Sequence, residues 1–167
     1  VFLQDKWIVN KRLVFDLALR YDRDQIGKQN NFAPRLGIVI APTDSDRTII
    51  RGGVGLFYDK IPLNVGSFEQ YQSLVVTTFA NDGVTIADGP RLFRNTSPDE
   101  LENPYSLAWN LQVDHQLTSR LLLRLGYEDR STRRDFVLEP VALQSTADEG
   151  LLLLQNSGRS RYRELQA

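Results

Sequence analysis

Few residues in the sequence have the types and spacing of a catalytic or metal-binding centre. The glycine-rich segment 51–55 could cradle a phosphate, but that chemistry requires a helix to begin directly after the glycines. Residues 56–62 instead continue a strand-like pattern and end at a proline. His115 is the only histidine, and Ser160 lacks the second glycine of a nucleophile elbow. We therefore predict no catalytic activity, no metal site and no cofactor.

Charged residues that alternate with apolar ones are better candidates for contacts with a ligand. If the segments that carry them enclose a wet lumen, these charges are easily accommodated, whereas arginine facing lipid costs about 2–4 kcal/mol at the bilayer midplane. Contact with a passing ligand and mutual pairing across strands are both open interpretations. The residues predicted to face inward are Asp16, Arg20, Asp22, Arg35, Arg51, Arg124 and Glu128.

Aromatic residues in the long connection 59–104 are the other candidates for ligand contact. Phe68, Tyr71 and Phe79 lie in this segment. Aromatic rings at the mouth of a pore offer a large contact area, so we predict that these three side chains take part in ligand capture.

The composition excludes several classes of protein. Twenty Lys and Arg are balanced by 21 Asp and Glu, and this net charge of −1 argues against nucleic-acid binding through a basic face. The absence of cysteine excludes disulfides and thiolate metal sites. The longest apolar runs have about six residues, whereas a membrane helix needs about 20. Because methionine and a secretory leader are both absent, we interpret the chain as an internal piece of a longer protein.

An alternation with a period of two runs through several stretches and predicts β-strands. In residues 13–22, 105–114 and 121–128 every odd position is apolar or aromatic, while most even positions are polar or small. A helix repeats every 3.6 residues and cannot produce this pattern. Residues 32–40 and 50–58 repeat it less cleanly, and further strands are predicted at Phe2–Ile8, at Arg161–Gln166 and, inside a loop, at Leu74–Phe79.

Strand length and connection order favour a membrane barrel. Strands in globular proteins average about 5–6 residues, whereas about ten residues tilted by about 45° cross a bilayer core. Short and long connections alternate, as in an up-and-down barrel with tight periplasmic turns and larger external loops. The short connections are 9–12, 42–47 and 116–120, and the long ones are 23–31, 59–104 and 129–160.

The residues next to the long connections support this orientation. On each strand, the apolar-face residue nearest the long connection is aromatic, and amphipathic rings favour the headgroup zone. We therefore predict an aromatic girdle at one membrane level, formed by Tyr21, Phe32, Tyr58, Tyr105 and Tyr127.

The order and spacing of several motifs resemble the TonB-dependent outer-membrane receptors, and the Oar-like branch fits best. Phe2-Leu3-Gln4-Asp5-Lys6-Trp7 is similar to their F-x-Q-D-x-W strand, although Ala18 stands where glycine is usual in the next one. The segments 31–37 (NFAPRLG), 51–59 (RGGVGLFYD), 103–110 (NPYSLAWN) and 158–166 (GRSRYRELQ) resemble later strands of the family.

This resemblance implies the fold, the partners and the location. Residues 1–167 would be part of the β-barrel domain, an all-β, antiparallel up-and-down portion with six or seven long strands that form an open curved sheet in isolation. The plug domain, the remaining strands and the N-terminal segment that engages TonB would lie in missing parts of the parent chain. The implied partners are lipid of a Gram-negative outer membrane and an unknown external solute imported with TonB energy.

Two alternatives come from other functional classes. A soluble all-β module could bind a ligand or carbohydrate through Trp109 and surface tyrosines, and it would bury its apolar face under a second layer. A membrane-barrel hydrolase would need His115 in a catalytic role.

Overall fold

The chain forms a single sheet of nine strands in the computed structural model, which describes residues 1–43, 47–142 and 149–167. Two short helical turns, α1 (Leu63–Gly66) and the 3₁₀ turn Phe68–Gln70, lie in the long connection that follows residue 58. No helix among the described residues is long and apolar enough to cross a membrane. The strands are β1 (Phe2–Asn10), β2 (Leu13–Arg23), β3 (Asn30–Ile40), β4 (Thr48–Tyr58), β5 (Leu74–Phe79), β6 (Ile86–Thr96), β7 (Tyr105–Thr118), β8 (Leu121–Ala142) and β9 (Glu149–Gln166).

Seven of these strands run up and down as neighbours. Their order is β1-β2-β3-β4-β7-β8-β9, and every adjacent pair is antiparallel. Only Lys11 and Arg12 separate β1 from β2, and only Ser119 and Arg120 separate β7 from β8. The short turns therefore lie at one end of the sheet. The predicted all-β, antiparallel up-and-down class is confirmed.

The other two strands form a hairpin inside the connection between β4 and β7. β5 coincides with the strand predicted at Leu74–Phe79, and β6 pairs with it antiparallel. Residues 92–96 of β6 also pair in parallel with residues 149–153 of β9. Among the described residues the sheet thus has nine strands: the seven long neighbours, which agree with the six or seven long strands predicted, and this hairpin. The pattern of residues 86–96 does not indicate a strand, because Gly89-Pro90 interrupts it and both residue types weaken a strand signal.

β8 and β9 extend much farther than the apolar alternation indicates. The alternation predicts a long connection over residues 129–160, but β8 continues to Ala142 and β9 begins at Glu149. That prediction is wrong for most of its length. The apolar alternation ends at Tyr127 because residues 128–135 of β8 and most of residues 155–164 of β9 are polar on both faces, and a strand wetted on both faces has no period-two hydrophobic signal. Residues 136–138 and 151–154 are unbroken apolar runs, which do not alternate either.

The register collects the apolar side chains of neighbouring strands on one face, here called the apolar band. Leu17 pairs with Leu36, and Leu111 pairs with Tyr127. The exposed fractions of Leu17, Leu111 and Leu125 are 43%, 47% and 46%. All described strands belong to one sheet, so no second layer of it covers this face. A soluble sandwich would bury these side chains, whereas a lipid-facing wall leaves them bare.

Two aromatic pairs lie where the apolar band approaches the long connections. The ring centroids of Tyr21 and Phe32 are 5.0 Å apart, and those of Tyr58 and Tyr105 are 5.9 Å apart. Each pair also consists of direct partners in the strand register. Four of the five predicted girdle residues are therefore paired at the expected end.

Tyr127 does not pair with these residues. The register places Arg133 opposite Tyr105, so Tyr127 lies six residues away along β8, or about 20 Å. Its ring centroid is instead 5.1 Å from that of Trp109. The prediction placed the end of β8 near Asp129, so that Tyr127 would be the apolar-face residue nearest the long connection. The strand instead continues to Ala142, and Tyr127 lies well inside it.

A small apolar core holds the long connections together. Ile61, Leu101 and Leu154 are buried in it. They come from the segment after β4, the segment before β7 and the first half of β9, so the core joins parts distant in sequence. The partly buried side chains that pack around it are Ile26, Val65, Phe68 and Phe136.

Candidate functional site

The polar face of the sheet carries the charges that we predicted to face inward. One row of direct partners runs across five strands from Ala18 through Arg35, Gly55 and Ala108 to Arg130, on the face opposite the apolar band. We call this face the lumen face. The strand alternation places all seven predicted residues on it: Asp16, Arg20, Asp22, Arg35, Arg51, Arg124 and Glu128.

Glycines on the lumen face create a concavity, here called the lumen hollow. Its volume is about 330 Å³. The guanidinium carbon of Arg35 lies 4.4 Å from the ring centroid of Phe57, a cation–π contact above Gly55. A Cβ atom at Gly55 would come within 2.9 Å of the Phe57 ring, so glycine permits this close approach. Gly53 lies similarly under the side chain of Asn110.

Arg35 has a donor that the described residues do not satisfy. Its Nε atom is buried and has no hydrogen-bond partner among them. A buried donor without an acceptor costs about 1–3 kcal/mol. Glu128 and Arg130 line the same hollow. The hollow therefore presents charges of both signs and one unused donor, a surface suited to a polar partner from another part of the protein or from a ligand.

Two other predicted charges meet around Asp114, a residue that the sequence pattern did not single out. Its side chain is almost fully buried and accepts hydrogen bonds from Arg51, from Arg124 Nε at 2.8 Å and from Gln112 Nε2 at 2.9 Å. The inward charges were open to two interpretations, contact with a ligand and pairing across strands. Pairing across strands describes Arg51 and Arg124, because both form ion pairs with Asp114. Asp114 is an even-numbered residue, as are the other inward-facing residues of β7. The alternation along β7 could therefore have identified it as an inward charge.

The remaining lumen charges stand apart from both groups. Arg20 and Asp22 form an ion pair with a distance of 2.5 Å between Nε and Oδ2. Glu128 lies opposite Asn110 on β7 and opposite Glu164 on β9. The predicted set is therefore distributed along the lumen face and is not gathered into one centre.

Asp24, Asp59 and Asn103 join three connections: the one after β2, the one after β4 and the one before β7. We call this group the polar junction. The buried amide of Asn103 donates from Nδ2 to Asp24 Oδ2 at 3.0 Å and to the carbonyl oxygen of Asp59 at 2.9 Å. Asp24 Oδ1 accepts the backbone N–H groups of Ile26 and Gly27, each at 2.9 Å. Partial burial raises the pKa of Asp24, but the hydrogen bonds from Gly27, Asn103 and the other donors outweigh it, so the pKa lies below the ordinary value of 3.8.

The lowered pKa of Asp24 makes the order of this junction depend on pH. The ionised carboxylate contributes stability above pH 3.8, and this contribution is lost as the pH falls through the lower folded-state pKa. Asp24→Asn should weaken the junction by about 1–2 kcal/mol and remove that acid dependence. Hydrogen exchange of the Ile26 and Gly27 amides would measure both effects. Asp99→Asn, an exposed carboxylate before Asn103, is the matched control and should leave exchange unchanged.

The three aromatic candidates lie in different settings. Phe68 packs against the apolar core of the connections and is half-buried. Tyr71 and Phe79 are both 52% exposed. The carbonyl oxygen of Tyr71 accepts a hydrogen bond from Asn95 Nδ2 at 3.1 Å, which fixes the backbone there. Phe68 thus has a structural contact that the sequence did not reveal, and ligand capture by Tyr71 and Phe79 stays a prediction.

His115 has a polar partner near the short-turn end of the sheet. Its Nδ1 atom lies 2.9 Å from the hydroxyl oxygen of Thr48, and the two residues face each other across β4 and β7. Among the described residues no three His, Cys, Asp or Glu side chains form a group able to hold a metal ion. The absence of catalysis stays a prediction.

A larger depression of about 730 Å³ lies on the opposite side of the sheet. Leu3, Leu17, Leu36, Val54 and Leu107 line it, and these are residues of the apolar band. Acyl chains would fill such a surface in a bilayer. Its chemistry therefore matches membrane contact and not recognition of a polar solute.

Comparison with known families agrees with this architecture. A family model described as an outer membrane beta barrel domain matches residues 25–150. The chain belongs to this outer membrane beta barrel family. The match covers most of the chain, including β3, β4, β7 and the greater part of the lumen hollow, and the Asp114 cluster. The location in a Gram-negative outer membrane is thereby confirmed, and the bare apolar band is the lipid-facing surface of the barrel wall.

Solved receptor and transporter barrels share the fold of this outer membrane beta barrel chain. It matches the outer membrane transporter YddB from Escherichia coli with a TM-score of 0.73 and 14% identity, covering 98% of this chain and 20% of that one. A mutant of the ferric enterobactin receptor PfeA from Pseudomonas aeruginosa gives 0.71 and 17%, covering 98% and 23%. The siderophore receptor PirA from Pseudomonas aeruginosa gives 0.64 and 16%, covering 98% and 29%.

The fold expected from the receptor resemblance is thereby confirmed. The chain spans between a fifth and a third of the length of these solved proteins. No curated protein matches the sequence.

Proposed function

We propose that residues 1–167 form part of the barrel domain of an Oar-like TonB-dependent receptor. A plug domain and further strands of a longer parent chain would complete it. The observation that carries this proposal is the lumen face, on which seven neighbouring strands present polar side chains while the bare apolar band lies on the opposite face. Barrels of about 22 strands with a plugged lumen are the outer-membrane transporters of this kind.

In the complete receptor, the lumen hollow would be a contact surface for the plug. Arg35 Nε has an unused donor there, and Gly55 and Gly53 leave room for the Phe57 ring and the Asn110 side chain on the floor of the hollow. A plug carbonyl or carboxylate placed in the hollow would accept the Arg35 hydrogen bond. Displacement of the plug by TonB would then uncover the hollow to water and to the passing solute.

The long connections, which lie at the end of the strands opposite the short turns, would meet the solute first. Tyr71 and Phe79 are exposed there, on a scaffold held by the apolar core and the Asp24–Asn103 junction. This chain would supply wall, girdle and external connections, with no catalytic step. Its role is to bind an external solute and to line its path inward.

The coding sequence around this segment and the binding of TonB test the proposal together. We expect a plug-like domain upstream, followed by enough alternating segments to complete about 22 strands. In outer-membrane preparations, formaldehyde should cross-link the full-length protein to TonB. Deletion of the plug and the segment preceding it should abolish the cross-link. A gene without a plug-like domain, or equal cross-linking after the deletion, would contradict TonB-dependent import.

A further inference from the structure

One carboxylate of the edge strand β1 lies on the outward face, the face of the apolar band. Asp5 is the direct register partner of Leu17, so both side chains project from the same side of the sheet. Asp5 also lines the large apolar depression on that side. It therefore faces away from the lumen, unlike the seven charges described above.

Asp5 lies near the middle of the apolar band and not at its margin. The outward residues of β2 form a run from Leu13 to Tyr21, and Leu17 is at its centre. The residue opposite Asp5 is thus about 13 Å along the strand from the aromatic level at Tyr21 and equally far from Leu13 beside the short turn. This position is at the depth of acyl chains, between the two headgroup zones.

The described residues provide no counter-charge for Asp5. No hydrogen bond or ion pair among them engages its carboxylate. A carboxylate among acyl chains is costly, and ionisable side chains in membrane-spanning segments are usually paired. The same-face neighbours are all apolar, namely Leu3 and Trp7 on β1 and Phe15, Leu17 and Leu19 on β2. A partner is therefore needed from another segment.

The free edge of β1 indicates which segment supplies that partner. Every neighbouring pair among the seven long strands is antiparallel, so the strand beside β1 should run opposite to it. β9, at the other end of these seven, runs in the same direction as β1, and a second copy presenting β9 would pair in parallel. A second copy presenting β1 would be inverted in the membrane. In the up-and-down order of a barrel of about 22 strands, the segment that fits is the strand preceding β1 in the parent chain.

We propose that this preceding strand places an arginine or lysine directly opposite Asp5 on the outward face, and that the two side chains form an ion pair within the bilayer. Directly opposite Cβ atoms lie about 4.5–5.5 Å apart, within reach of either basic side chain. A slip of one residue would turn the cation toward the lumen, so the pair fixes the register of the two strands. The inference rests on the proposed function only for the existence of the preceding strand, and it does not depend on solute import.

Replacement of Asp5 by leucine distinguishes a paired carboxylate from an unpaired one by the sign of its effect. In the proposed pair, Asp5→Leu leaves a cation against acyl chains, and the urea midpoint of the full-length protein in liposomes should fall by about 1 M. Without a cation opposite, the variant only removes an isolated charge from the acyl-chain region, and the midpoint should rise. A rise would overturn the proposal. Ser131→Leu adds the same side chain opposite Leu107 on the outward face and is the matched control, whose midpoint should not fall.

An exchange of the two charges tests the pair even if the single variant does not assemble. The coding sequence should give a basic residue opposite Asp5 in the preceding strand. Asp5→Lys alone should assemble poorly into the outer membrane, and the further replacement of that basic residue by aspartate should restore assembly, measured by heat-modifiable mobility in detergent gels. A preceding strand without a basic residue there, or an exchange that restores nothing, would overturn this inference and leave the receptor proposal standing. The absence of any preceding barrel strand would contradict both.

Discussion

Leu111→Arg should lower the free energy of unfolding in a bilayer by about 2–4 kcal/mol, because it places a guanidinium group against acyl chains near the middle of β7. Leu111 is 47% exposed on the apolar band and has no covering layer within the described sheet. Urea unfolding of the full-length protein reconstituted in liposomes would measure the loss. Assembly into the outer membrane should fall in parallel, since the same penalty applies during insertion.

The neighbouring residue provides the matched control. Asn110 precedes Leu111 on β7 but points to the lumen face, where Glu128 lies directly opposite. Asn110→Arg adds the same group to a wet surface beside a carboxylate, and the stability should change by less than about 1 kcal/mol. Equal losses for the two variants would contradict the assignment of faces. A larger loss for Asn110→Arg would reverse it.

This contrast also explains how much of the fold could be predicted from the sequence. A strand between lipid and water must alternate, so Leu107, Trp109 and Leu111 indicated both the strand and its orientation. The alternation did not indicate the part of β8 that follows Tyr127. There Asp129, Ser131 and Arg133 occupy the outward positions, and no hydrophobic pattern distinguishes a wetted strand from a loop.

The sequence predicted the face of the sheet on which the candidate site residues lie, but not which of them pair with each other. Parity alone placed Arg35, Arg51 and Arg124 on the lumen side. Which of them meet depends on the register between strands that are distant in sequence, such as β4 and β7, and a single sequence does not give it. The buried role of Asn103 was hidden for the same reason, because its partners Asp24 and Asp59 come from two other connections.

The two faces of the wall use arginine in different ways. On the lumen face, Arg51 and Arg124 share the nearly buried carboxylate of Asp114, which fixes the register of three strands. On the outward face, Asp129 forms ion pairs with Arg161 and Arg163, and Arg133 and Arg159 remain opposed. The first arrangement is self-contained and structural. The second is short of negative charge.

Removal of the Asp114 charge should have the largest effect on the lumen face. Asp114→Asn keeps the shape of the side chain but leaves Arg51 and Arg124 facing each other without a counter-charge. Breaking a buried pair costs about 3–5 kcal/mol, but these arginine side chains are 43% and 57% exposed, and water offsets part of that cost. We therefore expect a loss of about 2–3 kcal/mol in the free energy of unfolding, measured by urea unfolding in liposomes.

A second carboxylate and a double-mutant cycle isolate the cause of this loss. Glu128→Gln changes another lumen carboxylate, one that forms no ion pair among the described residues and lies opposite Glu164, so its effect should be close to zero or stabilising. Adding Arg124→Gln to Asp114→Asn should recover about 1 kcal/mol, because it removes one of the two unpaired arginines. If the double variant instead loses the sum of the two single effects, Asp114 and Arg124 are not coupled. The cross-strand ion pair would then contribute nothing to the stability of the wall.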